Sequence, residues 1–332
     1  MLRNAAYDVQ ILRSTTPGVP VVSVGNLTAG GTGKTPIVGW MVRYLVSQGI
    51  RPVIISRGYG RVSRGVRVVS DGTSLLLTAA EGGDEPVQLA EAFPSVPVVV
   101  GERRVDAAAV ALERFRPDVL MLDDAFQHRA IGRHLNVLVV DAGADLTREP
   151  LLPAGRRREQ LSGIRRASLI VLSRTGGSLG TVPWEHRLRR WYDGEIVYCT
   201  RQIASFRSGS GSMLNPGAYK GKRCLLLSGI GKPGQFEDDI RGLGLNISRH
   251  LRYADHYRYT RQDVETIVNA AARDRAEVLL TTEKDMVRLQ AVEGAVPALQ
   301  ASVELGVAIL DVRLSPAGRV EAYLQECVRK AA

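Results

Sequence analysis

The chain is poor in aromatic residues, in cysteine and in long apolar runs. Aromatics are only 5% of 332 residues, and no basic–aromatic interleaving of the kind that stacks bases is read, so single-stranded nucleic acid is the weaker partner. Cys199, Cys224 and Cys327 are odd in number, far apart and in no ligand spacing. That excludes a disulfide framework and a zinc site, and it fits a reducing, cytoplasmic compartment. Met1 to Val19 holds neither the apolar core of a signal peptide nor a span long enough to cross a bilayer. A soluble or peripheral protein is expected.

What is present is enough for a sizeable core. Hydrophobic residues are 45% of the chain, which is long enough for one large or two medium domains. Forty-four Lys+Arg against 34 Asp+Glu give a net charge of +10, which points to a polyanionic partner, either anionic lipid headgroups or nucleic acid. The shortage of aromatics argues against nucleic acid.

Val21 to Pro36 reads as a buried strand, a glycine-rich loop and the first turn of a helix. This is a phosphate cradle: the backbone amides of Thr28, Ala29, Gly30, Gly31, Thr32 and Gly33, a positive helix end and Lys34 can hold the phosphates of ATP. The Thr35 hydroxyl is placed to ligate Mg²⁺. Thr28 occupies the first motif position, where glycine is usual, and Gly30, Gly31 and Gly33 supply the backbone freedom. A glycine-rich turn that binds nothing is the alternative.

Downstream, short apolar strands alternate with helices through Leu172, which predicts a doubly wound parallel sheet. Pro52–Ser56 empties into the basic loop Arg57-Gly58-Tyr59-Gly60-Arg61, at the strand end where ligands sit in such sheets. By its chemistry Asp84 reads first as a helix cap. Arg103 and Arg104 open a helix against its dipole, as an anion site or an exposed pair. The strand Asp118–Leu122 ends in Asp123 and Asp124, a place where P-loop proteins act on Mg²⁺, although turn formers are common there too. Gln127, His128 and the basic run to Glu159 lie close behind.

The composition shifts near Trp184–Ser212, where Glu195–Cys199 and Gln202–Phe206 read as two paired strands. The fold class expected is α/β, a P-loop NTPase-like doubly wound parallel sheet with a second, smaller α/β (Rossmann-like) domain. Its parts are a nucleotide- and lipid-binding domain at 1–194, a two-stranded linker at 195–220 and the smaller domain at 221–332. Gly229–Gly234 is a second glycine loop, read as a structural turn in preference to a phosphate site.

With these motifs in order, the chain resembles the tetraacyldisaccharide 4′-kinase family of lipid A biosynthesis. The resemblance rests on Arg3-Asn4, Gly25–Pro36, Ser56–Gly60, Gly83–Pro86, Asp123–His128, Leu152–Gly155, Gly229–Pro233, Asp255-His256 and Thr282–Asp285. It implies transfer of the ATP γ-phosphate to the 4′-hydroxyl of an acylated disaccharide 1-phosphate. Residue by residue, it implies that Lys34 and Thr35 serve phosphate and Mg²⁺, and that Glu159 also serves Mg²⁺. Asp84 takes the acceptor proton, assisted by His256. Asp123, Asp124 and His128 line the same site. The substrate-facing residues are Arg57, Tyr59, Arg103, Arg104 and Gln127.

His134 stands where the resemblance implies Asp, and the amphipathic membrane helix it implies ahead of Arg3 has no counterpart here. Peripheral attachment to an anionic membrane, on the inner face of the inner membrane, is expected through the basic surface. No nucleic acid and no obligate protein partner are expected. The competing reading is a deviant P-loop ATPase acting as a partner-binding switch, but Ala29 stands where such ATPases carry lysine.

Overall fold

The computed structural model describes residues 2–175 and 182–329. The first part of the chain runs α1 (Leu2–Asp8), β1 (Val21–Asn26), α2 (Lys34–Ser47), β2 (Pro52–Ser56), β3 (Arg67–Ser70), α3 (Ala79–Gly82), α4 (Asp84–Ala92), β4 (Val98–Val100), α5 (Arg104–Phe115), β5 (Val119–Asp123), β6 (Leu135–Asp141) and β7 (Leu169–Thr175). The second part runs α6 (Glu185–Leu188), β8 (Glu195–Ser208), β9 (Met213–Leu214), β10 (Arg223–Ser228), α7 (Pro233–Gly242), β11 (Asn246–Arg252), α8 (Arg261–Arg273), β12 (Val278–Thr282), α9 (Glu283–Gln290), α10 (Ala295–Ser302), β13 (Glu304–Ser315) and α11 (Ala317–Arg329).

The strands form one sheet in the order β11-β10-β12-β13-β8-β7-β6-β1-β5-β2-β4-β3, with β9 paired to β8. β1 lies between β5 and β6 and is parallel to both. It is therefore the switch point of a doubly wound sheet, and the loop leaving its C-terminal end faces the crevice where ligands bind. Both faces of these strands are covered, which is why they read as unbroken apolar runs. On α2, Ile37, Val38, Met41, Val42 and Leu45 are fully buried against the sheet, each such side chain contributing about 1.5–3 kcal/mol.

The expected pair of strands between 195 and 206 is a single 14-residue strand, β8. No turn former interrupts Thr200-Arg201-Gln202. The first half of β8 runs parallel to β7, and it runs antiparallel to β13 from Tyr198 to Ser208. The two strands within 195–220 are instead β8, shared by both parts of the sheet, and the short β9. The serine-glycine tract turns the chain back into β9.

Two further features escape the sequence pattern. β11 is a polar, half-exposed edge strand, Asn-Ile-Ser-Arg-His-Leu-Arg, whose charged side chains guard a free sheet edge. α11, the last helix, returns to the first part of the sheet and buries Val320, Leu324 and Cys327 in the same core as Val22, Val24 and Met41. The substitution at His134 keeps a contact, because its Nδ1 accepts the Val21 amide at 3.0 Å.

Candidate active site

The phosphate loop is built on two glycines with distinct physical reasons. Gly25, at the end of β1, passes so close to Phe126 that an added Cβ would lie 2.5 Å from the Phe126 amide nitrogen. Gly33 adopts φ 83° as the residue preceding α2, a left-handed conformation that glycine takes without strain. Within the loop, Asn26 Nδ2 donates to Thr32 Oγ1 at 2.9 Å, and Ser173 Oγ donates to the Thr32 carbonyl at 2.9 Å. Lys34 and Thr35 are buried at the start of α2.

The basic run after Gly155 lies against this loop. Ala29 N donates to the Arg156 carbonyl and Arg158 N to the Leu27 carbonyl, each at 2.7 Å. Arg158 then bonds both oxygens of Asp124 at 3.1 and 3.2 Å. Asp124 also lies 3.6 Å from Lys34 Nζ, and its φ of 45° is a left-handed outlier for a non-glycine residue.

Asp123 is fully buried at the end of β5. Its Oδ2 accepts from Ser56 Oγ at 3.1 Å, while its Oδ1 has no partner among the described residues. Burial, with the charges of Glu85 and Asp124 beside it, pushes the Asp123 carboxyl up to about 7.

Asp84 is not the helix cap that local chemistry favours. Gly83, with φ 93°, takes the cap position and Asp84 is the first residue of α4. Its Oδ2 instead meets two partners from the other end of the chain, His256 Nδ1 at 3.0 Å and Arg288 Nε at 2.6 Å. Burial alone would raise the Asp84 pKa. The His256 hydrogen bond and the Arg288 charge outweigh it and hold the carboxyl below its ordinary range. His256 is itself left-handed, φ 58°, and the Tyr59 ring meets its edge at 5.4 Å.

Next to Asp84, Glu85 pairs with Lys284 of α9. The two acidic residues opening α4 are therefore each matched by a base on α9, one helical turn apart. Glu85, Lys284 and Arg288 are functional candidates that sequence reasoning passed over. Thr282–Asp285 was visible as a motif, but nothing in its spacing tied it to Asp84.

Among the substrate-facing candidates, Tyr59, Arg57 and Arg103 are exposed. Arg104 is a correction: it is 3% exposed and its guanidinium donates to the carbonyls of Glu102 and Asp124. Successive helical residues point about 100° apart, so Arg103 and Arg104 cannot share a face. Gln127 also points inward, donating to the Asn26 carbonyl at 2.7 Å and to Glu159 at 3.0 Å. His128 Nε2 accepts the Arg104 amide at 3.3 Å, and burial among arginines lowers its pKa to about 4. At neutral pH it is an uncharged acceptor that steadies the start of α5.

Glu159 accepts from Arg166 at 2.8 Å, Asn4 at 2.7 Å and Gln127 at 3.0 Å. The second glycine loop lies against the first: a Cβ on Gly231 would be 3.9 Å from the Gly31 nitrogen. Between them is a cavity of about 270 Å³, lined by Thr28–Thr32, Asp141, Arg156, Gly231, Lys232 and Asp255. Lys232 spans it to pair with Asp141.

Comparison with known proteins gives a consistent picture. The family model for tetraacyldisaccharide-1-P 4′-kinase matches residues 1–329. The tetraacyldisaccharide 4′-kinase of Chlorobium luteolum is 37% identical over 320 residues, covering 94% of this chain and 88% of the relative. That of Geobacter sulfurreducens is 42% identical over 283 residues, covering 82% and 75%. A crystal structure of LpxK from Aquifex aeolicus in complex with ATP superposes with a TM-score of 0.78 at 30% identity, covering 98% of this chain and 94% of that one.

Proposed function

The chain belongs to the tetraacyldisaccharide 4′-kinase family, and on that premise we propose how its side chains carry out the reaction. It is a phosphotransferase with an alcohol acceptor, acting in lipid A biosynthesis, and it binds ATP. The observation that carries the assignment of roles is the Asp84–His256 contact, formed across the two parts of the chain. It lies beside the phosphate loop, close enough that the Lys34 charge acts on Glu85.

The amides of Gly30–Gly33 and the Lys34 ammonium hold the phosphates of ATP, the Ala29 amide being taken by the Arg156 carbonyl, and the nucleoside part lies in the cavity between the glycine loops. The acceptor 4′-oxygen attacks the γ-phosphorus; a new P–O bond forms, the bond to the β–γ bridging oxygen breaks, and ADP leaves with that electron pair. The hydroxyl proton passes to Asp84 Oδ1, with His256 sharing the charge on Oδ2. Such transfer depends on positioning and charge neutralisation more than on covalent chemistry. With His256 already against Asp84, the 221–332 part closes over the 1–194 part and excludes water, which otherwise competes for the phosphoryl group.

Among the described residues no three carboxylate, histidine or cysteine side chains could hold a metal by themselves. This fits Mg²⁺, which takes much of its shell from phosphate and water. Thr35 and Asp123, whose Oδ1 has no other partner among the described residues, are the residues that would hold it. Glu159 joins them only by giving up Asn4 or Gln127. Bound there, Mg²⁺ supplies neutralisation of phosphate charge. Asp124, already committed to Lys34 and Arg158, positions those cations.

Arg57, Tyr59 and Arg103 face the lipid headgroup. Among the described residues no helix is long and apolar enough to cross a membrane. Attachment to the inner face of the inner membrane is supported by the +10 charge and by Val9, Ile11 and Leu12, which are 65%, 76% and 40% exposed.

The deciding assay supplies ATP-Mg²⁺ and a tetraacylated disaccharide 1-phosphate and looks for a second phosphate on the lipid. ATP hydrolysis without that product would overturn the reading.

A further inference from the structure

We infer that Arg288 is a positioning residue for proton transfer: its guanidinium, anchored to the Gly229 loop, fixes Oδ2 of Asp84 and leaves Oδ1 to the acceptor hydroxyl. The inference rests on the reading of Asp84 as the proton acceptor.

Arg288 is 4% exposed, and each bond it makes serves this geometry. Nε donates to Asp84 Oδ2 at 2.6 Å, and Nη1 donates to the Gly229 carbonyl at 2.6 Å and to Asp285 at 3.3 Å. Asp285 is held in turn by the Gly229 amide at 2.8 Å, Tyr259 at 2.9 Å and Thr282 at 2.6 Å. The same Gly229 carbonyl accepts the His256 amide at 3.2 Å. Both partners of Asp84 thus hang from one carbonyl, and a shift in either would move the carboxylate. Both also engage Oδ2, so Oδ1 has no donor among the described residues.

Only a planar fork with donors on two sides can span Asp84 and Gly229 at once, which separates arginine from lysine here. Arg288 Nη2 is buried with no partner among the described residues. Lys284 cannot replace it, being taken by Glu85.

The charge of Arg288 also acts on Asp84. The other charged groups close by are Glu85 on α4, Lys284 and Asp285 on α9, and Asp255, 3.9 Å from His256. Lys34 acts on Glu85 from the phosphate loop. Glu85 and Lys284 neutralise each other, and Asp285 shares the Arg288 charge with Asp84, so the Arg288 guanidinium and the His256 hydrogen bond hold the Asp84 carboxyl below its ordinary range.

The test is the pH profile of kcat/KM in R288M and R288K, with ATP and the lipid acceptor. In R288M the acid limb moves up by about one pH unit, the scale of losing one close charge, and kcat falls at least about tenfold with KM for ATP unchanged. In R288K the limb stays in place and kcat still falls, because the fork is lost. A uniform loss across pH in R288M, or near-normal kcat in R288K, overturns the inference; the second result decides if R288M does not fold. Asp84→Asn separates this from the parent reading. If D84N keeps the normal rate and acid limb, Asp84 is not the acceptor; if D84N abolishes the limb while R288M leaves it unmoved, the role of Arg288 alone fails.

Discussion

Asp84 and His256 lie 172 residues apart in sequence and 3.0 Å apart in the fold. One opens a helix of the P-loop part and the other sits in a left-handed turn of the smaller part. The contact therefore draws on both parts of the chain.

If the pair acts as a unit, its removal is not additive. Asp84→Asn and His256→Ala should each lower turnover at least about a hundredfold, the scale of a positioned acid–base group. The double variant should be little worse than the poorer single one. Steady-state kinetics on all three variants checks this; losses that multiply would mean the residues act independently.

Lys34→Ala should cost about a hundredfold or more in kcat, because the ammonium neutralises charge on the transferring group. Its loss also leaves Asp124, 3.6 Å away, balanced by Arg158 alone, so ATP affinity should fall too. Isothermal titration with ATP and turnover measurements separate the two effects.

The Asp123 carboxyl, pushed up to about 7, makes stability depend on pH. An unfolded Asp titrates near about 4. Between about pH 4 and 7 the folded protein therefore keeps a proton that the unfolded chain has lost, and stability falls as pH rises through that window. Asp123→Asn removes this dependence. In thermal melts without nucleotide, the variant should gain on the wild type between about pH 5 and about pH 8. A constant difference across that range would contradict the burial argument.

Gly25→Ala should destabilise the fold by about 1–3 kcal/mol, as overpacking against a fixed backbone does, since the Phe126 amide cannot retreat from β5 and the buried Phe126 ring. Gly31→Ala, whose Cβ meets nothing within 4 Å, should change stability by less than about 0.5 kcal/mol. Denaturant melts of the two variants make the comparison.

The exposed Val9, Ile11 and Leu12 are followed by Arg13, so the protein should co-sediment with anionic vesicles at low salt and release as salt rises. Ile11→Asp should weaken binding without changing turnover on a detergent-dispersed acceptor. Failure of the wild type to bind anionic vesicles at low salt would remove the membrane proposal.

The phosphate loop could be read directly, since strand, glycines, Lys34 and Thr35 are neighbours in sequence and their geometry follows from local backbone rules. The strand β5 and its two acidic residues were legible for the same reason. Their division of labour was not: Asp123 and Asp124 are adjacent, yet one is sealed under Ser56 and the other turns out, at φ 45°, to Lys34 and Arg158. Arg104 misled because its burial depends on the phase of α5 against the sheet. β8 misled because its partners are distant in sequence, and pairing, not composition, made it one strand.

By itself the sequence determined the alternation of strands and helices, the nucleotide cradle and, through its ordered motifs, the family. These depend on periodicity and on short spacings, which the chain carries locally. Only the tertiary structure decided which oxygen of Asp84 is held, that Arg288 holds it from 204 residues away, and that His128 and Gln127 serve as internal supports. Those relations are set by close packing and charge pairing between segments far apart in the chain, where neither periodicity nor spacing leaves a trace.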